Sequence, residues 1–289
     1  MSAEQSAQAR YRAAVLGFPI AHSLSPVLHR AAYAATGLEW DYTAIECDEV
    51  SLPALLDRVR SEPGWRGLSL TMPLKLAALE LVDDLTDDVR SVGALNTIVV
   101  SGDPGEAVRL AGHNTDIHGI REAVAETGVV PDYALVLGAG GTARAAVAAL
   151  AESGALSVVV VARDVRRTEP LLELGERFGI DVEGAPWTSI REQLSSADFV
   201  IATTPAGATD FLADARFWPH RVPLVDVVYD PWPTKLAAYA ASRGSAVVGG
   251  LSVLAHQAAA QFTLMSGRPA PLAVIRSAGE QALADRRAI

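Results

Sequence analysis

The chain is 289 residues long, carries a formal net charge of −10, and is 50% hydrophobic. This length predicts two domains, and the apolar share is sufficient for a sizeable core. An acidic balance without a basic run argues against binding to nucleic acid or to anionic membranes. Cys47 is the only cysteine, which excludes an internal disulfide and a cysteine-cluster metal site.

No apolar run is long enough to span a bilayer, and the first ten residues are polar and contain an acid, unlike a signal peptide. These features predict a cytoplasmic protein. The six histidines show no metal-ligand spacing, so no metal site is predicted. The oligomeric state is left open between a monomer and a homodimer.

The first predicted elements are a strand over 12–16 and a helix over 27–36. Ser25 precedes Pro26, which is typical of a helix N-cap followed by proline at the first helical position. Capping is therefore one explanation for Ser25. The other is that Ser23 and Ser25, two hydroxyls beside a helix N-terminus, bind a small carboxylate.

The next predicted elements are a strand over 40–46, a helix over 52–61 and a strand over 67–71. A helix that starts near Pro73 would carry Lys75, one of only two lysines in the chain, in its first turn. A cation is unfavourable at that end of the helix dipole, which favours a functional role. The alternative is a solvated surface amine.

Polar residues also follow or precede two further apolar runs. Asn96 and Thr97 stand before one run, and Asp116 opens a predicted helix over 117–126. Asp116 could simply stabilise the helix N-terminus. The two Asn-Thr pairs, each beside a glycine-containing turn, instead indicate polar loops at strand ends, where open α/β sheets bind ligands.

The segment 134–145, ALVLGAGGTARA, is the strongest motif in the chain. An apolar run enters Gly138-x-Gly140-x-x-Ala143, and an alanine-rich helical run leaves it. This is the strand–turn–helix fingerprint of a dinucleotide-binding unit. Gly138 permits the tight turn, Gly140 lets the backbone approach a pyrophosphate, and Ala143 lets the helix pack against the strand. The alternative is a glycine turn in an ordinary βαβ unit.

The second strand of this unit, which includes 158–161, ends at Arg163 and Asp164, with Arg166 and Arg167 close behind. An acid near this place binds the ribose 2′-hydroxyl of NAD, whereas arginine suits the 2′-phosphate of NADP. The arginines favour NADP, and Asp164 keeps NAD open.

The remaining predicted strands cover 198–202, 224–228 and 246–248, and each ends at a turn. Two helices, over 252–265 and 272–284, complete the chain, and Gln257 lies on the first.

Seven segments in one order resemble a known family. They are GFPIAHSLSP at 17–26, LTMPLK at 70–75, GALNT at 93–97, GHNTD at 112–116, GAGG at 138–141, DVVYDP at 226–231 and GLSVLAHQ at 250–257. The chain resembles shikimate dehydrogenases over nearly its whole length. The resemblance implies NADPH-linked reduction of 3-dehydroshikimate to shikimate in the chorismate pathway of aromatic amino-acid biosynthesis.

The resemblance also implies the fold. It predicts an N-terminal α/β substrate domain, a Rossmann-type doubly wound dinucleotide-binding domain, and C-terminal helices that return to the substrate domain. Residues 1–113 with 252–289 would form the first domain and 114–251 the second.

The site residues come from the same resemblance. Lys75 and Asp116 would be the catalytic pair, and Tyr229 would close over the substrate. The substrate carboxylate would bind Ser23 and Ser25, and the hydroxyls would bind Thr71, Asn96, Asp116 and Gln257. NADP(H) would contact Gly138, Ala139, Gly140, Gly141, Thr142, Arg163, Arg167, Thr204, Val227 and Gly250.

Three residues depart from the family pattern. Asp164 replaces a common threonine and would repel a 2′-phosphate unless an arginine covers it. Ser69 stands where asparagine is common, and Val253 stands where methionine is common. The alternatives are an NAD-dependent quinate/shikimate dehydrogenase of the same fold and a dinucleotide-binding regulator without catalysis.

Overall fold

The structure is a computed structural model that describes residues 11–102, 107–213 and 218–288. The chain forms two compact units. Unit 1 consists of the described parts of 1–86, 95–113 and 261–289, and unit 2 of 87–94 with the described parts of 114–260. In the described residues, no helix combines the length and the apolar character that crossing a membrane requires.

The elements of the N-terminal part alternate between strands and helices up to β5, which is followed by a second strand, β6. In chain order they are β1 (Tyr11–Gly17), α1 (Ser25–Thr36), β2 (Trp40–Glu46), α2 (Leu52–Ser61), β3 (Trp65–Leu70), α3 (Leu74–Ala77), β4 (Asp84–Leu85), α4 (Asp87–Val92), β5 (Thr97–Ser101) and β6 (Arg109–His113).

The second part continues this alternation. Its elements are α5 (Asp116–Glu126), β7 (Tyr133–Leu137), α6 (Gly141–Glu152), β8 (Ser157–Ala162), α7 (Glu169–Phe178), β9 (Asp181–Pro186), α8 (Ile190–Ser196), β10 (Phe199–Ala202), β11 (Leu224–Asp226), α9 (Lys235–Ser242), β12 (Val247–Gly249), α10 (Gly250–Ser266) and α11 (Leu272–Arg287).

The sheet of unit 1 is mixed, with the strand order β2-β1-β3-β5-β6-β4. β1 pairs in parallel with β2 and β3, whereas β5 runs antiparallel to both β3 and β6. β1 is central and its residues from Ala13 to Gly17 are buried. Helix α11 packs against α1, so the C-terminal helix returns to the N-terminal unit as the resemblance implies.

The sheet of unit 2 is entirely parallel, with the order β12-β11-β10-β7-β8-β9. This is the doubly wound arrangement of a dinucleotide-binding domain. Helix α6 is alanine-rich, and seven of its residues are buried. Small side chains let this helix lie close to β7, the strand that enters the glycine turn. The neighbouring strand β8 buries most of its valines.

Unit 2 also includes two segments from outside the range 114–251. Residues 87–94 and 252–260 group with unit 2. Helix α4 packs against α6 and α7, and the guanidinium groups of Arg144 and Arg177 donate to the main-chain oxygens of Val92 (3.0 Å) and Ser91 (2.8 Å). These contacts bind the end of α4 to the helices of the parallel sheet.

Candidate active site

Polar residues of unit 1 meet at one edge of its sheet. The parallel strands β1 and β3 both end there, and Thr71 donates its amide to Leu16 O at 2.9 Å. Because β5 is antiparallel to β3, its first residue, Thr97, pairs with Ser69 near the end of β3. Asn96 precedes β5 and therefore lies at the same edge. The segments that leave this edge carry the five predicted site residues of unit 1: Ser23, Ser25, Thr71, Lys75 and Asn96.

The structure corrects one interpretation of Ser25. Helix α1 begins at Ser25, its N-cap position is Leu24, and no side chain caps it. The Ser25 amide instead donates to Ser23 Oγ at 3.3 Å. Ser25 is not the capping residue because the turn starts one residue earlier, and its buried side chain stays a candidate for binding a carboxylate.

Lys75 lies in the four-residue helix α3, directly after the loop that follows β3. Its main-chain oxygen accepts a hydrogen bond from Leu95 N at 2.9 Å. This contact joins the lysine's helix to the segment that leads into Asn96. The position in the first helical turn confirms the element predicted from the sequence.

The Asn96 side chain is fully buried and belongs to a hydrogen-bond network inside unit 1. Its Oδ1 accepts from Thr97 Oγ1 at 2.8 Å, and Thr97 Oγ1 accepts from Gln261 Nε2 at 3.0 Å. The motifs in the sequence do not point to Gln261. The available signal is a second glutamine, four positions after Gln257, in a helix that is otherwise rich in apolar residues.

The far side of this network contains aromatic groups. Tyr42 Oη donates to Ser69 Oγ at 2.6 Å, and Ser69 Oγ donates to Gln261 Oε1 at 2.8 Å. His29 stacks on Tyr42 with ring centroids 4.1 Å apart. Burial lowers the pKa of His29 to about 4, against the raising effect of its hydrogen bond to Gln261. His29 is therefore neutral near pH 7, and Ser69 has a defined structural partner.

The glycine turn of unit 2 has the geometry of a phosphate cradle. Gly138 has a φ of +112°, which side chains rarely adopt, and an added Cβ there would lie 2.7 Å from Thr203 Oγ1. A Cβ on Gly140 would meet no described atom within 4 Å. The backbone at Gly140 thus borders open space beside the first amides of α6, a position that suits a pyrophosphate. The predicted residues Ala139, Gly141 and Thr142 belong to this turn.

The other predicted cofactor residues follow neighbouring parallel strands. Thr204 follows β10, Val227 follows β11, and Gly250 follows β12, so all three lie at the carboxyl edge on which Gly138 follows β7. A Cβ on Gly250 would overlap the main-chain oxygen of Val227. This close approach explains why glycine occupies the position.

Asp164, the residue that keeps NAD open, is paired with an arginine. Arg166 Nε and Nη2 donate to the two carboxylate oxygens at 3.0 and 2.9 Å, and the Arg166 amide donates to Oδ1 at 3.2 Å. The side-chain hydrogen bond from Arg166 is the main reason why the pKa of Asp164 is lowered. Arg166 therefore covers the acid, which is the condition for NADP binding stated above. Arg163 and Arg167 flank this pair along the chain.

Three predicted substrate residues belong to unit 2. Asp116 is buried at the start of α5, where Asn114 Oδ1 accepts hydrogen bonds from the main-chain amides of Asp116 (3.0 Å) and Ile117 (3.3 Å). Asn114, and not Asp116, thus satisfies these amides. A Cβ on Gly119 would lie 3.2 Å from Gln257 Cβ, so α5 and α10 approach closely, and Asp116 lies one turn before that approach.

Tyr229, the third of these residues, follows a turn that Asp226 supports. Asp226 Oδ1 accepts the Val228 amide at 3.1 Å, and Oδ2 accepts the Thr234 hydroxyl at 2.7 Å. Burial raises the pKa of Asp226, opposed by these two hydrogen bonds. Asp226 has no role predicted from the sequence, although it belongs to one of the quoted motifs.

The parallel sheet, the glycine turn and the arginine cluster define unit 2 as a dinucleotide-binding domain of the NADP type, and five of the predicted site residues lie in segments at the polar edge of unit 1. Within the described ranges, no group of three or more histidine, cysteine, aspartate or glutamate side chains is placed to hold a metal ion.

Comparisons with known proteins give the family. The model of the shikimate dehydrogenase substrate-binding domain matches residues 15–98, that of shikimate / quinate 5-dehydrogenase matches 125–214, and that of the shikimate 5′-dehydrogenase C-terminal domain matches 250–278. A shikimate dehydrogenase (NADP(+)) of Thermus thermophilus is 40% identical over 261 residues, which cover 89% of this chain and 92% of that protein.

Solved structures agree with this result. Mycobacterium tuberculosis shikimate dehydrogenase superposes with a TM-score of 0.83 at 40% identity, covering 94% of this chain and 99% of that one. Thermus thermophilus shikimate 5-dehydrogenase in complex with NADP(H) and shikimate gives 0.80 at 36% identity, covering 94% and 100%. The chain belongs to the shikimate dehydrogenase family.

Proposed function

We propose that this chain catalyses the reversible NADPH-dependent reduction of 3-dehydroshikimate to shikimate, a step of chorismate and aromatic amino-acid biosynthesis. The observation that carries the proposal is the polar edge of unit 1: the segments with Ser23, Ser25, Thr71 and Lys75 follow the ends of β1 and β3, and Asn96 precedes β5 at the same edge. Such a set suits a ring acid with several hydroxyls. The NADP-type cradle of unit 2 and the family membership support it.

The residues divide the recognition of the substrate between them. Ser23 and Ser25 bind its carboxylate, since both hydroxyls lie at the start of α1, whose first amides favour an anion. Tyr229 closes over the ring. The substrate hydroxyls are bound by the remaining polar side chains, which are Thr71, Asn96, Asp116 and Gln257.

Reduction of a ketone requires a hydride on carbon and a proton on oxygen. NADPH, when bound, supplies the hydride. Lys75 donates a proton to the carbonyl oxygen and stabilises the negative charge that develops there. Asp116 binds the neighbouring hydroxyl and is the second member of the catalytic pair, so the proton is assigned to the pair.

NADP(H) would be held by groups that follow the parallel strands of unit 2. The Gly138–Thr142 turn binds the pyrophosphate, and Thr204, Val227 and Gly250 contact the rest of the cofactor. Arg163 and Arg167 bind the 2′-phosphate, since the Asp164 carboxylate is already paired with Arg166.

The division of labour between domains is part of the proposal. Residues 1–113 with 252–289 bind shikimate, and residues 114–251 bind NADP. A cytoplasmic location and a monomeric or homodimeric state also belong to it. Size-exclusion chromatography with light scattering distinguishes the two oligomeric states.

The first experiment measures initial rates of shikimate oxidation with NADP and with NAD in parallel. A strong preference for NADP supports the proposal. A preference for NAD would contradict the arginine assignment and favour the quinate/shikimate dehydrogenase alternative. If the chain binds NADP in calorimetry but oxidises shikimate with neither cofactor, the assignment of shikimate as the substrate would be contradicted.

A further inference from the structure

Gln261 occupies the centre of the buried polar network of unit 1, although none of the proposed steps uses it. The side chain is 1% exposed, and both ends of its amide contact polar atoms. A buried amide that loses its partners destabilises the fold, and the orientation of a satisfied one is determined by them. The partners of Gln261 therefore fix which end is oxygen and which is nitrogen.

One main-chain atom decides this orientation. The main-chain oxygen of Asn96 can only accept, and Gln261 Nε2 lies 3.4 Å from it. The nitrogen end of the glutamine must therefore face the start of β5. The opposite end, Oε1, then accepts from Ser69 Oγ at 2.8 Å and contacts His29 Nε2 at 3.3 Å.

The orientation passes from Gln261 to Asn96 through one hydroxyl. Gln261 Nε2 donates to Thr97 Oγ1 at 3.0 Å, and the Thr97 hydroxyl donates to Asn96 Oδ1 at 2.8 Å. Because Asn96 Oδ1 accepts from Thr97 Oγ1, the Nδ2 of the same amide points away from Thr97 Oγ1. The network thus presents Asn96 as a hydrogen-bond donor.

We propose that Gln261 is a positioning residue which, through Thr97, keeps the amide nitrogen of Asn96 oriented to donate to a hydroxyl oxygen of the substrate. The inference rests on the proposed function, because that function assigns a substrate hydroxyl to Asn96. Without the Gln261 donor, the Thr97 hydroxyl can rotate and Asn96 can present either end. A fraction of the protein would then offer the hydroxyl an acceptor in place of a donor.

The first test compares Gln261→Met, which keeps the length of the side chain and removes its donor, with Phe262→Leu. Phe262 is a buried neighbour on α10 that packs on Tyr33, and its side chain has no polar atom with which to reach Asn96. We expect the KM for shikimate to rise about tenfold in Gln261→Met, the loss of one neutral hydrogen bond, with kcat changed by less than about threefold. Phe262→Leu should lower the melting temperature without changing KM.

The second test examines the intermediate hydroxyl. Thr97→Val should reproduce the rise in KM, and Thr97→Ser, which retains the hydroxyl, should restore the KM of the wild-type chain. An unchanged KM in both Gln261→Met and Thr97→Val, with melting temperatures that fall, would overturn the inference in favour of a purely structural role.

A double-mutant cycle with Asn96→Ala gives the decisive result. If Gln261 acts through Asn96, Gln261→Met has no further effect on shikimate affinity in the Asn96→Ala background. Additive losses would overturn the inference while wild-type turnover still supports the proposed function. A wild-type chain that neither binds nor oxidises shikimate would overturn the proposed function and the inference together.

Discussion

Units 1 and 2 both collect polar groups at one edge of a sheet, but they do so with different parts of the chain. In unit 1 the groups are side chains, and a buried network behind them holds Asn96 in place. In unit 2 the cradle is backbone, formed by the turn of Gly138 and Gly140 at the start of α6. We therefore expect binding at the edge of unit 1 to be sensitive to a change of hydrogen-bonding group, and binding at the turn of unit 2 to be sensitive to an added carbon.

The largest effect in this comparison concerns Lys75. Lys75→Ala should lower kcat by about 10²–10⁴-fold, the usual contribution of a general acid, with a much smaller change in KM. Lys75→Arg should not restore turnover, because arginine does not release its proton in proteins. Steady-state kinetics with saturating NADPH measures both variants, and near-wild-type turnover by either would contradict the assignment.

The buried network of unit 1 should also make stability depend on pH. The folded pKa of His29 is about 4, below its unfolded value of about 6.5, so the unfolded chain binds more protons between these pH values. Stability from this group is complete above pH ~6.5 and is lost as the pH falls to about 4, by about 3 kcal/mol. Urea unfolding at neutral pH and near the middle of this window measures the slope.

One variant separates His29 from the other titrating groups. His29→Phe should flatten the dependence of the unfolding free energy on pH. Equal slopes in the wild-type chain and His29→Phe would show that the buried histidine does not contribute.

The backbone cradle of unit 2 should separate binding from stability at two neighbouring glycines. Gly140→Ala adds a carbon that meets no described atom within 4 Å, so the melting temperature should hold while the Kd for NADP rises about tenfold or more. Gly138→Ala should lower the melting temperature instead, because its φ is +112° and its Cβ would crowd Thr203.

Calorimetric titration with NADP and thermal unfolding measure these two glycine variants. An unchanged NADP affinity in a folded Gly140→Ala chain would contradict the proposal that the backbone at Gly140 binds the pyrophosphate. The two units would then no longer differ in the way proposed.

The smallest expected effect concerns the exposed pair of Asp164 and Arg166, whose charged atoms lie 2.9 Å apart. Arg166→Ala leaves the acid uncompensated, so NADP affinity should fall about threefold while NAD affinity holds, since exposed ion pairs contribute little. Adding Asp164→Ala should restore NADP affinity. Binding measured at low and high salt checks this, and an equal loss for NAD and NADP would refute it.

Much of the fold can be predicted because its signals are local. The glycine fingerprint, the apolar runs of the parallel strands and the helix with Lys75 each lie within a few consecutive residues. Two of the elements that the sequence analysis does not predict, α4 and β4, are short and lack strong periodicity, whereas α7 and β9 are regular elements that it misses. Pro26 is typical of the position after an N-cap, which makes Ser25 a candidate cap in the sequence. In the structure the helix begins at Ser25 itself, so Leu24 occupies the N-cap position.

The family, the two α/β units and the order of the chemically active residues follow from spacing along the chain, so they can be read before any packing is known. The orientation of the groups depends on tertiary packing. Gln261 contacts Thr97 across 164 positions and Ser69 across 192. The direction of each hydrogen bond in that network follows from which atoms can only donate or only accept, and those atoms become neighbours only when β3, β5 and α10 pack together.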